Sequence, residues 1–217
     1  MTKEEKEAKA KEKLEKERDR LYAMSEYERK YKDVRYICGI DEVGRGPFAG
    51  PVMAGAVILP KDCEILYLND SKKLSPKKRD MLYDEIREKA ITYAVARVEP
   101  ERIDEINILQ ATFEAMRAAI AKLDIRPDII LVDAVHIPDV DIPQESIVKG
   151  DAKSVSIAAA SIVAKVTRDR VMADYAGMYP GYGFERNMGY GKAEHREALK
   201  KLGATPIHRR SFIHDYV

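Results

Sequence analysis

Two adjacent acids, Asp41 and Glu42, end an apolar run and are followed at once by a Gly-Arg-Gly turn at residues 44–46. The apolar run predicts a strand, so the acids stand where the backbone becomes free to bend. Carboxylates at a strand end provide the oxygen ligands that hard divalent cations prefer. The glycines let backbone amides approach a ligand closely, and Arg45 has the geometry to pair with phosphate. Since acids before a turn are also common as solvated strand ends, a metal site needs further acids.

Two further acids stand at the ends of predicted elements. Asp133 ends the apolar run IILVD, which predicts a buried strand whose carboxyl end lies at the sheet edge where α/β sites form. Asp151 lies in KGDAKS, between a short predicted strand and a long predicted helix. Asp133 is also interpretable as a turn former and Asp151 as a helix cap. Four carboxylates at one edge repel one another unless cations neutralise them, and two divalent ions are the arrangement that serves phosphoryl displacement.

Basic clusters around these acids indicate a nucleic-acid substrate. They comprise Ser71, Lys72 and Lys73 with Lys77, Lys78 and Arg79, then Lys149 and Lys153, and finally His208, Arg209 and Arg210. Contacts of Lys and Arg with phosphates supply most of the affinity for nucleic acids, although a charge run taken alone is commonly a solvated face.

Composition narrows the remaining function classes. The 217 residues carry a formal net charge of +1, so any nucleic-acid binding depends on local clusters. The two cysteines, Cys38 and Cys63, have no metal-binding spacing, which favours free thiols in a reducing compartment. The first thirty residues are too charged for a signal peptide, and no apolar run is long enough to cross a bilayer. We expect a cytoplasmic monomer with no membrane partner and, in the absence of a Walker loop, no nucleotide hydrolysis of that kind.

Hydrophobic periodicity predicts an α/β fold with a mixed sheet covered by helices. Strands are predicted at residues 36–42, 52–59, 91–98, 129–133 and 146–148, and helices at 76–90, 102–123, 155–178 and 192–202. The first two strands form a hairpin with a glycine-rich connection. The chain ends in a helical C-terminal portion.

The first 33 residues alternate basic and acidic side chains and predict a charged helical or disordered extension to a catalytic domain at residues 34–217. From Leu21 onward, apolar residues recur at helical spacing through Met24, Tyr27 and Tyr31. This spacing predicts a helix face that docks on the body. We expect the extension to carry no chemistry.

The segment GYGFERNMGYG at residues 181–191 does not follow a strand, so it is not a dinucleotide loop. Its tyrosines are predicted either to pack on the core or to stack on a sugar or base. His195 stands nearby, and the sequence leaves open whether it assists proton transfer or only sits at a helix start.

Six segments together resemble, in order, the motifs of bacterial ribonuclease HII. They are GIDEVGRGPFAGPV, NDSKKLSPKKR, LVDA, KGDAKSVSIAAASIVAKVTRDR, YPGYGFERNMGYG and TPIHRRSF, and they cover residues 35–212. The resemblance implies a ribonuclease H-like fold and endonucleolytic cleavage of RNA in RNA–DNA hybrids, including single ribonucleotides embedded in duplex DNA. The products implied are 5′-phosphate and 3′-hydroxyl ends.

The resemblance also assigns the site residues. It implies that Asp41, Glu42, Asp133 and Asp151 bind two Mg²⁺ or Mn²⁺ ions, and that Gly44, Arg45 and Gly46 read the ribose 2′-hydroxyl. Tyr190 is expected to contact the substrate, and Ser71, Lys72 and Lys73 to contact phosphates. The chain departs from the family's pattern in having Met188 where lysine is common and Lys192 where threonine is common.

Two other functions remain open at this point. A metal-dependent DNA nuclease of the same fold would use the same acids on a different substrate. A non-catalytic hybrid-binding protein would keep the fold, although it would have little reason to gather four repelling carboxylates.

Overall fold

A computed structural model describes residues 2–216 and contains one five-stranded sheet between helices. The strands are β1 (Ile37–Val43), β2 (Val52–Ile58), β3 (Thr92–Val98), β4 (Ile129–Asp133) and β5 (Gln144–Ile147). The helices are α1 (Lys3–Met24), α2 (Glu26–Lys30), α3 (Pro76–Lys89), α4 (Pro100–Ala121), α5 (Val155–Met178), α6 (Phe184–Asn187), α7 (Ala193–Leu202) and α8 (Arg210–Ile213). Two 3₁₀ turns, Ser71–Lys73 and Gly150–Ala152, complete the elements.

The sheet is mixed, in the order β3-β2-β1-β4-β5. The pairs β1–β2 and β2–β3 are antiparallel, while β1–β4 and β4–β5 are parallel. The predicted mixed sheet flanked by helices is therefore confirmed, together with the opening hairpin and the helical C-terminal portion.

The core lies on both faces of the sheet. Helix α4 packs against β1, β2 and β3 on one face, and α5 with α3 covers the other. Two glycines allow α5 to approach the sheet closely. A β-carbon on Gly39 would lie 2.0 Å from the backbone of Ser156, and one on Gly55 would lie 2.5 Å from the Ala160 carbonyl oxygen. No other residue type fits at either position.

Two elements differ from the predictions. Strand β5 begins at Gln144, two residues before the predicted start, because its outer residues are polar and lack a recognisable apolar run. Helix α4 begins at Pro100, whose ring suits a first helical turn. The same helix is interrupted at Asn107, whose φ is 68° and whose side-chain oxygen accepts from the amides of Leu109 and Gln110.

The N-terminal segment is helical, and its predicted docking face is confirmed. Leu21 and Met24 are buried in the cluster that contains Ile65 and Leu68, and Tyr27 and Tyr31 pack beside Ile157. Residues 2–13 are exposed. Within residues 2–216, none of the helices has the length and apolar character that a membrane span requires.

Candidate active site

The parallel pairing of β1 with β4 brings two of the predicted acids to one edge of the sheet. Ile40 pairs with Val132, so Asp41 and Asp133 are the next residues of the two strands. The Gly150 amide donates to Asp133 Oδ1 at 2.7 Å, which ties the turn that carries Asp151 to the end of β4. Three separate elements therefore bring acids to the same place.

Burial and mutual repulsion define the electrostatics of this edge. Asp41 is 6% exposed, and its pKa is raised well above the ordinary value by burial and then by the charges of Glu42 and Asp133. A hydrogen bond from Ser161 opposes this increase. Burial also raises the pKa of Glu42, although Arg45, 3.4 Å away, partly offsets it. The raised pKa values indicate that nearby hydrogen bonds and positive charges do not fully stabilise the negative charges of Asp41 and Glu42.

Asp151 meets a carboxylate that the sequence interpretation missed. Burial raises its pKa first, followed by the charges of Asp70 and Asp133. The Asp70 carboxylate accepts from the Lys72 amide at 2.9 Å and caps the 3₁₀ turn Ser71–Lys73. An acid before a turn has no distinctive sequence pattern, so only its position in the fold reveals Asp70.

The segment Ser71–Lys73 lies against the acids. The Ser71 hydroxyl is buried and bonds to the Ser161 hydroxyl at 2.9 Å. Partial burial lowers the pKa of Lys72, but the surrounding carboxylates outweigh this effect and raise it overall. Those carboxylates are Asp41, Asp70, Asp151 and Glu42. Lys72 therefore interacts with four carboxylates, and the Lys72 and Lys73 residues are both exposed.

The Gly-Arg-Gly turn lies next to Tyr190. Gly44 has a φ of +88°, which favours glycine. A β-carbon on Gly46 would meet only Tyr190 Cε1, at 3.8 Å. Tyr190 is 41% exposed, whereas Tyr182 is buried in the core. Tyr182 therefore packs on the core, whereas contact of the exposed Tyr190 with a sugar or base stays a prediction.

Two buried arginines hold the backbone of this turn. Arg209 donates to the carbonyl oxygens of Arg45 at 2.8 Å, Gly44 at 2.5 Å and Gly50 at 2.9 Å. Arg168 donates to the carbonyls of Pro51 at 2.9 Å, Ala49 at 3.2 Å and Met188 at 3.0 Å. Burial lowers the pKa of Arg168 to about 10 and that of Arg209 to about 9.

The expectation that the basic tail contacts phosphate is wrong for two of its three residues. His208 and Arg209 are buried, and only Arg210 is exposed. The structure also accounts for both ring nitrogens of His195. Nδ1 bonds to the Tyr190 carbonyl at 3.0 Å and Nε2 to His208 at 2.9 Å, so His195 lies under Tyr190 and not among the acids.

The two departures from the family's pattern lie in the same loop. Met188 has a φ of +52° and packs in the cluster of Phe184 and Met172, while its carbonyl accepts from Arg168. The Lys192 side chain donates to the Arg186 carbonyl at 3.3 Å. Neither side chain bonds to Tyr190.

The chemistry of the donor set fits a divalent cation. The buried Asp41 carboxylate faces negative neighbours, and hard oxygen ligands of this kind suit Mg²⁺ or Mn²⁺. As the side chains stand, residues 2–216 contain no group of three or more His, Cys, Asp or Glu arranged to hold a metal ion. Glu42 pairs with Arg45, and Asp133 accepts from Gly150, so both carboxylates are engaged by the protein itself.

Comparison with known proteins identifies what the chain resembles. The family model for ribonuclease HII matches residues 38–215. The ribonuclease HII of Lachnoclostridium phytofermentans is 67% identical over 202 residues, covering 93% of this chain and 80% of that protein. The ribonuclease HII of Enterococcus faecalis is 57% identical, covering 91% of this chain and 78% of that protein.

Solved structures agree with the sequence comparisons. The crystal structure of the ribonuclease H2 from Pyrococcus horikoshii OT3 superposes with a TM-score of 0.68 at 32% identity. The superposition covers 81% of this chain and 93% of that one.

Proposed function

The chain belongs to the ribonuclease HII family, and we propose that the acids at the edge of its sheet are the catalytic metal ligands. It is an endoribonuclease that cleaves the RNA strand of RNA–DNA hybrids, and its family depends on divalent metal ions. One observation supports the assignment above all: Asp41 is buried beside the negative charges of Glu42 and Asp133. The proposed ligands are Asp41, Glu42, Asp133 and Asp151.

The proposed ions are two Mg²⁺ or Mn²⁺. When bound, such ions supply an activated water and stabilise charge on the attacking and leaving oxygens. Hydrolysis breaks the bond between phosphorus and the 3′-oxygen. The water's hydroxyl group joins the phosphate and its proton goes to the 3′-oxygen, which yields 5′-phosphate and 3′-hydroxyl ends.

The Gly-Arg-Gly turn is proposed to recognise the ribose. A 2′-hydroxyl is the group that distinguishes RNA from DNA, so a selective site must bond to it. Gly46 leaves open space toward Tyr190, and the neighbouring carbonyls of Gly44 and Arg45 are held in place by Arg209. This rigid backbone supports a role in reading single ribonucleotides embedded in duplex DNA as well as RNA tracts.

Tyr190 and Lys72 are proposed to contact different parts of the substrate, Tyr190 a sugar and Lys72 the phosphate backbone. The exposed ring of Tyr190 beside Gly46 is placed to pack against the sugar next to the ribonucleotide. The Lys72 ammonium offsets the repulsion between the acids and a polyanionic backbone. Lys73 is exposed and available to a phosphate, whereas the Ser71 hydroxyl bonds to Ser161, so Ser71 is proposed to contact phosphate through its backbone.

The protein is proposed to act as a cytoplasmic monomer. Both cysteines are free, as expected in a reducing compartment. Among residues 2–216, large exposed apolar side chains are spread over several elements, which supports this proposal. They include Tyr22, Met81, Leu109, Val148 and Leu202.

Cleavage of a duplex with one embedded ribonucleotide tests this assignment. We expect cleavage on the 5′ side of the ribonucleotide in Mg²⁺ or Mn²⁺, and none of an all-DNA duplex or four-way junction. Cleavage of all-DNA substrates would instead favour a DNA nuclease of the same fold. Tight binding of hybrids with no cleavage in either metal would favour the non-catalytic alternative.

A further inference from the structure

The N-terminal helical segment contacts two parts of the body that lie next in sequence to proposed active-site residues. Its exposed part, residues 2–13, makes no buried contact, whereas residues 17–31 face the body. We call residues 17–31 the N-terminal brace. Its contacts follow a pattern that an inert extension would not require.

The first contact region leads into the turn that carries Asp70 and Lys72. Glu17 Oε1 accepts from the Tyr67 amide at 2.6 Å, and Arg20 donates to the Leu68 carbonyl at 2.6 Å. Glu17 also pairs with Arg20 at 2.7 Å, so the two side chains hold one stretch of backbone together. That stretch ends two residues before Asp70.

The second contact region lies around the turn that carries Asp151. Lys30 Nζ bonds to Glu145 on β5 at 2.7 Å, and the Tyr31 hydroxyl donates to the same carboxylate. Strand β5 leads directly into the turn Gly150–Ala152. The brace therefore holds the segment that precedes Asp151.

Glu28 holds the segment that follows Asp151. Its Oε1 accepts from the Ser154 hydroxyl at 2.6 Å and from the Ser156 amide at 3.0 Å. Ser154 caps α5, and its own amide donates to the Gly150 carbonyl at 2.9 Å. A carboxylate beside the first turn of a helix is also favoured by the helix dipole. One side chain from the brace thus joins the Asp151 turn to the start of α5.

One carboxylate oxygen of the half-buried Glu28 is enclosed at this junction. Its Oε2 is buried and has no hydrogen-bond partner within the described part of the chain, and leaving such an atom unpaired costs stability. Ser154 and Ser156 are also buried. Because Ser156 packs directly on Gly39 of β1, the position of this junction is coupled to the strand that carries Asp41.

We propose that Glu28 is a positioning residue for the cleavage reaction, which fixes the junction between the Asp151 turn and α5 without contacting substrate. This inference rests on the proposed assignment of Asp151 as a metal ligand. It changes the expectation that residues 1–33 carry no role in the chemistry: the exposed part has none, and the brace sets the position of one acid.

The test compares Glu28→Ala with Glu28→Gln, which keeps one acceptor oxygen, and with Glu28→Asp, which keeps the charge but shortens the reach. Glu26→Ala is the matched control, since Glu26 lies on the same helix and is exposed. Hydrogen exchange of residues 150–157 is measured in metal-free protein. The Mg²⁺ concentration that gives half-maximal cleavage of an RNA–DNA hybrid is measured separately.

For Glu28→Ala we expect faster exchange across residues 150–157 and a rise of about tenfold in the half-saturating Mg²⁺ concentration, the loss typical when a support of a metal ligand is removed. Glu28→Gln should stay close to the parent protein, and Glu28→Asp should fall between. If Glu28→Ala does not fold, the Asp and Gln variants carry the comparison.

Unchanged exchange in Glu28→Ala and Glu28→Asp would overturn the proposal, because the contact would then not fix the junction. Faster exchange with an unchanged Mg²⁺ requirement would overturn it as well, since the junction would then not affect Asp151. Asp151→Asn, assayed in parallel, separates the two ideas: if it cleaves normally, the assignment of Asp151 fails before that of Glu28.

Discussion

The Nε2 atoms of His195 and His208 lie 2.9 Å apart in the core beneath Tyr190. The Thr205 amide donates to His208 Nδ1 at 2.9 Å, so that nitrogen is an acceptor and the proton of His208 is on Nε2. His208 must then donate to His195, whose remaining proton, on Nδ1, goes to the Tyr190 carbonyl. Three hydrogen bonds in one direction therefore support the backbone of Tyr190, the residue proposed to contact the substrate.

The hydrogen bonds through the two buried histidines predict a loss of folding stability in mild acid. Burial lowers the pKa of both histidines, that of His208 to about 4, so the unfolded chain takes up protons first as the pH falls below about 6.5. Above that pH both states are neutral and the effect is absent. Between pH 7.5 and pH 5, His208 alone should cost about 2 kcal/mol of unfolding free energy.

Urea unfolding at the two pH values measures this effect. His208→Asn should show a smaller pH dependence than the parent protein, because the asparagine does not titrate. His136→Asn is the control, since His136 is exposed and lies outside these hydrogen bonds. An equal pH dependence in His208→Asn and the parent would contradict the assigned role of His208.

Replacing Asp41 should separate activity from stability. Asp41→Asn removes a proposed metal ligand, so cleavage should fall by at least about 100-fold. Because the raised pKa means that the folded state disfavours the charged form at neutral pH, the metal-free variant should melt no lower than the parent. Asp133→Asn should lose cleavage to a similar extent.

Cleavage rates in Mg²⁺ and melting temperatures without metal test this prediction. Asp174→Asn, an exposed position on α5, is the control for both measurements. Near-normal turnover by either active-site variant would refute its assignment as a ligand.

The two glycines of the turn should respond differently to alanine. Gly44→Ala places a β-carbon 2.3 Å from Arg168 Nε at a φ of +88°, so it should cost about 2 kcal/mol or more. Gly46→Ala meets only Tyr190, at an ordinary distance, and should change stability by less than about 0.5 kcal/mol. Its methyl group enters the proposed ribose site, so cleavage should fall by about tenfold. Unfolding and cleavage assays on both variants give the comparison. Full activity of Gly46→Ala would show that the turn does not contact the ribose.

Tyr190→Ala should slow cleavage at a single embedded ribonucleotide by about tenfold, which is the order expected for one lost stacking contact. Met178→Ala, at an exposed position on α5, serves as control. Single-turnover rates on the one-ribonucleotide duplex measure the effect. An unchanged rate would mean that the exposed ring does not meet the substrate.

Arg209→Lys should destabilise the fold by about 2 to 4 kcal/mol, because a lysine cannot bond to three carbonyls at once and leaves buried acceptors unpaired. Arg210→Lys, one residue further and exposed, should be nearly neutral. Chemical denaturation of the two variants tests the contrast, and equal stabilities would show that the buried guanidinium is dispensable.

Local patterns predicted the elements whose burial is continuous. The bounds of β4 and α5 match the structure at both ends, because an unbroken apolar run sets β4 and a run of small apolar residues marks the first half of α5. The start of strand β5 was misplaced because its first residues are polar and form no apolar run. The interruption of α4 at Asn107 depends on a cap by the asparagine side chain, and nothing in the neighbouring sequence distinguishes this asparagine from any other. The local sequence does not reveal such features.

The proposed site was predictable where the residues act locally and not where they act at a distance. The acids and the Gly-Arg-Gly turn are recognisable from their neighbours in the chain. Asp70, Arg168 and Glu28 acquire their roles from partners far away in sequence, and Arg209 looked like a surface cation. Its burial depends on carbonyls 159 to 165 residues earlier in the chain.

These long separations have a consequence for synthesis on the ribosome. All four proposed acids precede Arg168 and Arg209 in the chain. The turn at residues 44–50 is held by hydrogen bonds from both of these arginines, so it cannot be fixed until both have been synthesised. A nascent polypeptide can therefore complete its sheet before the turn takes its final shape. The ribose selection proposed for this turn should therefore appear only late in translation, after Arg209 has left the exit tunnel.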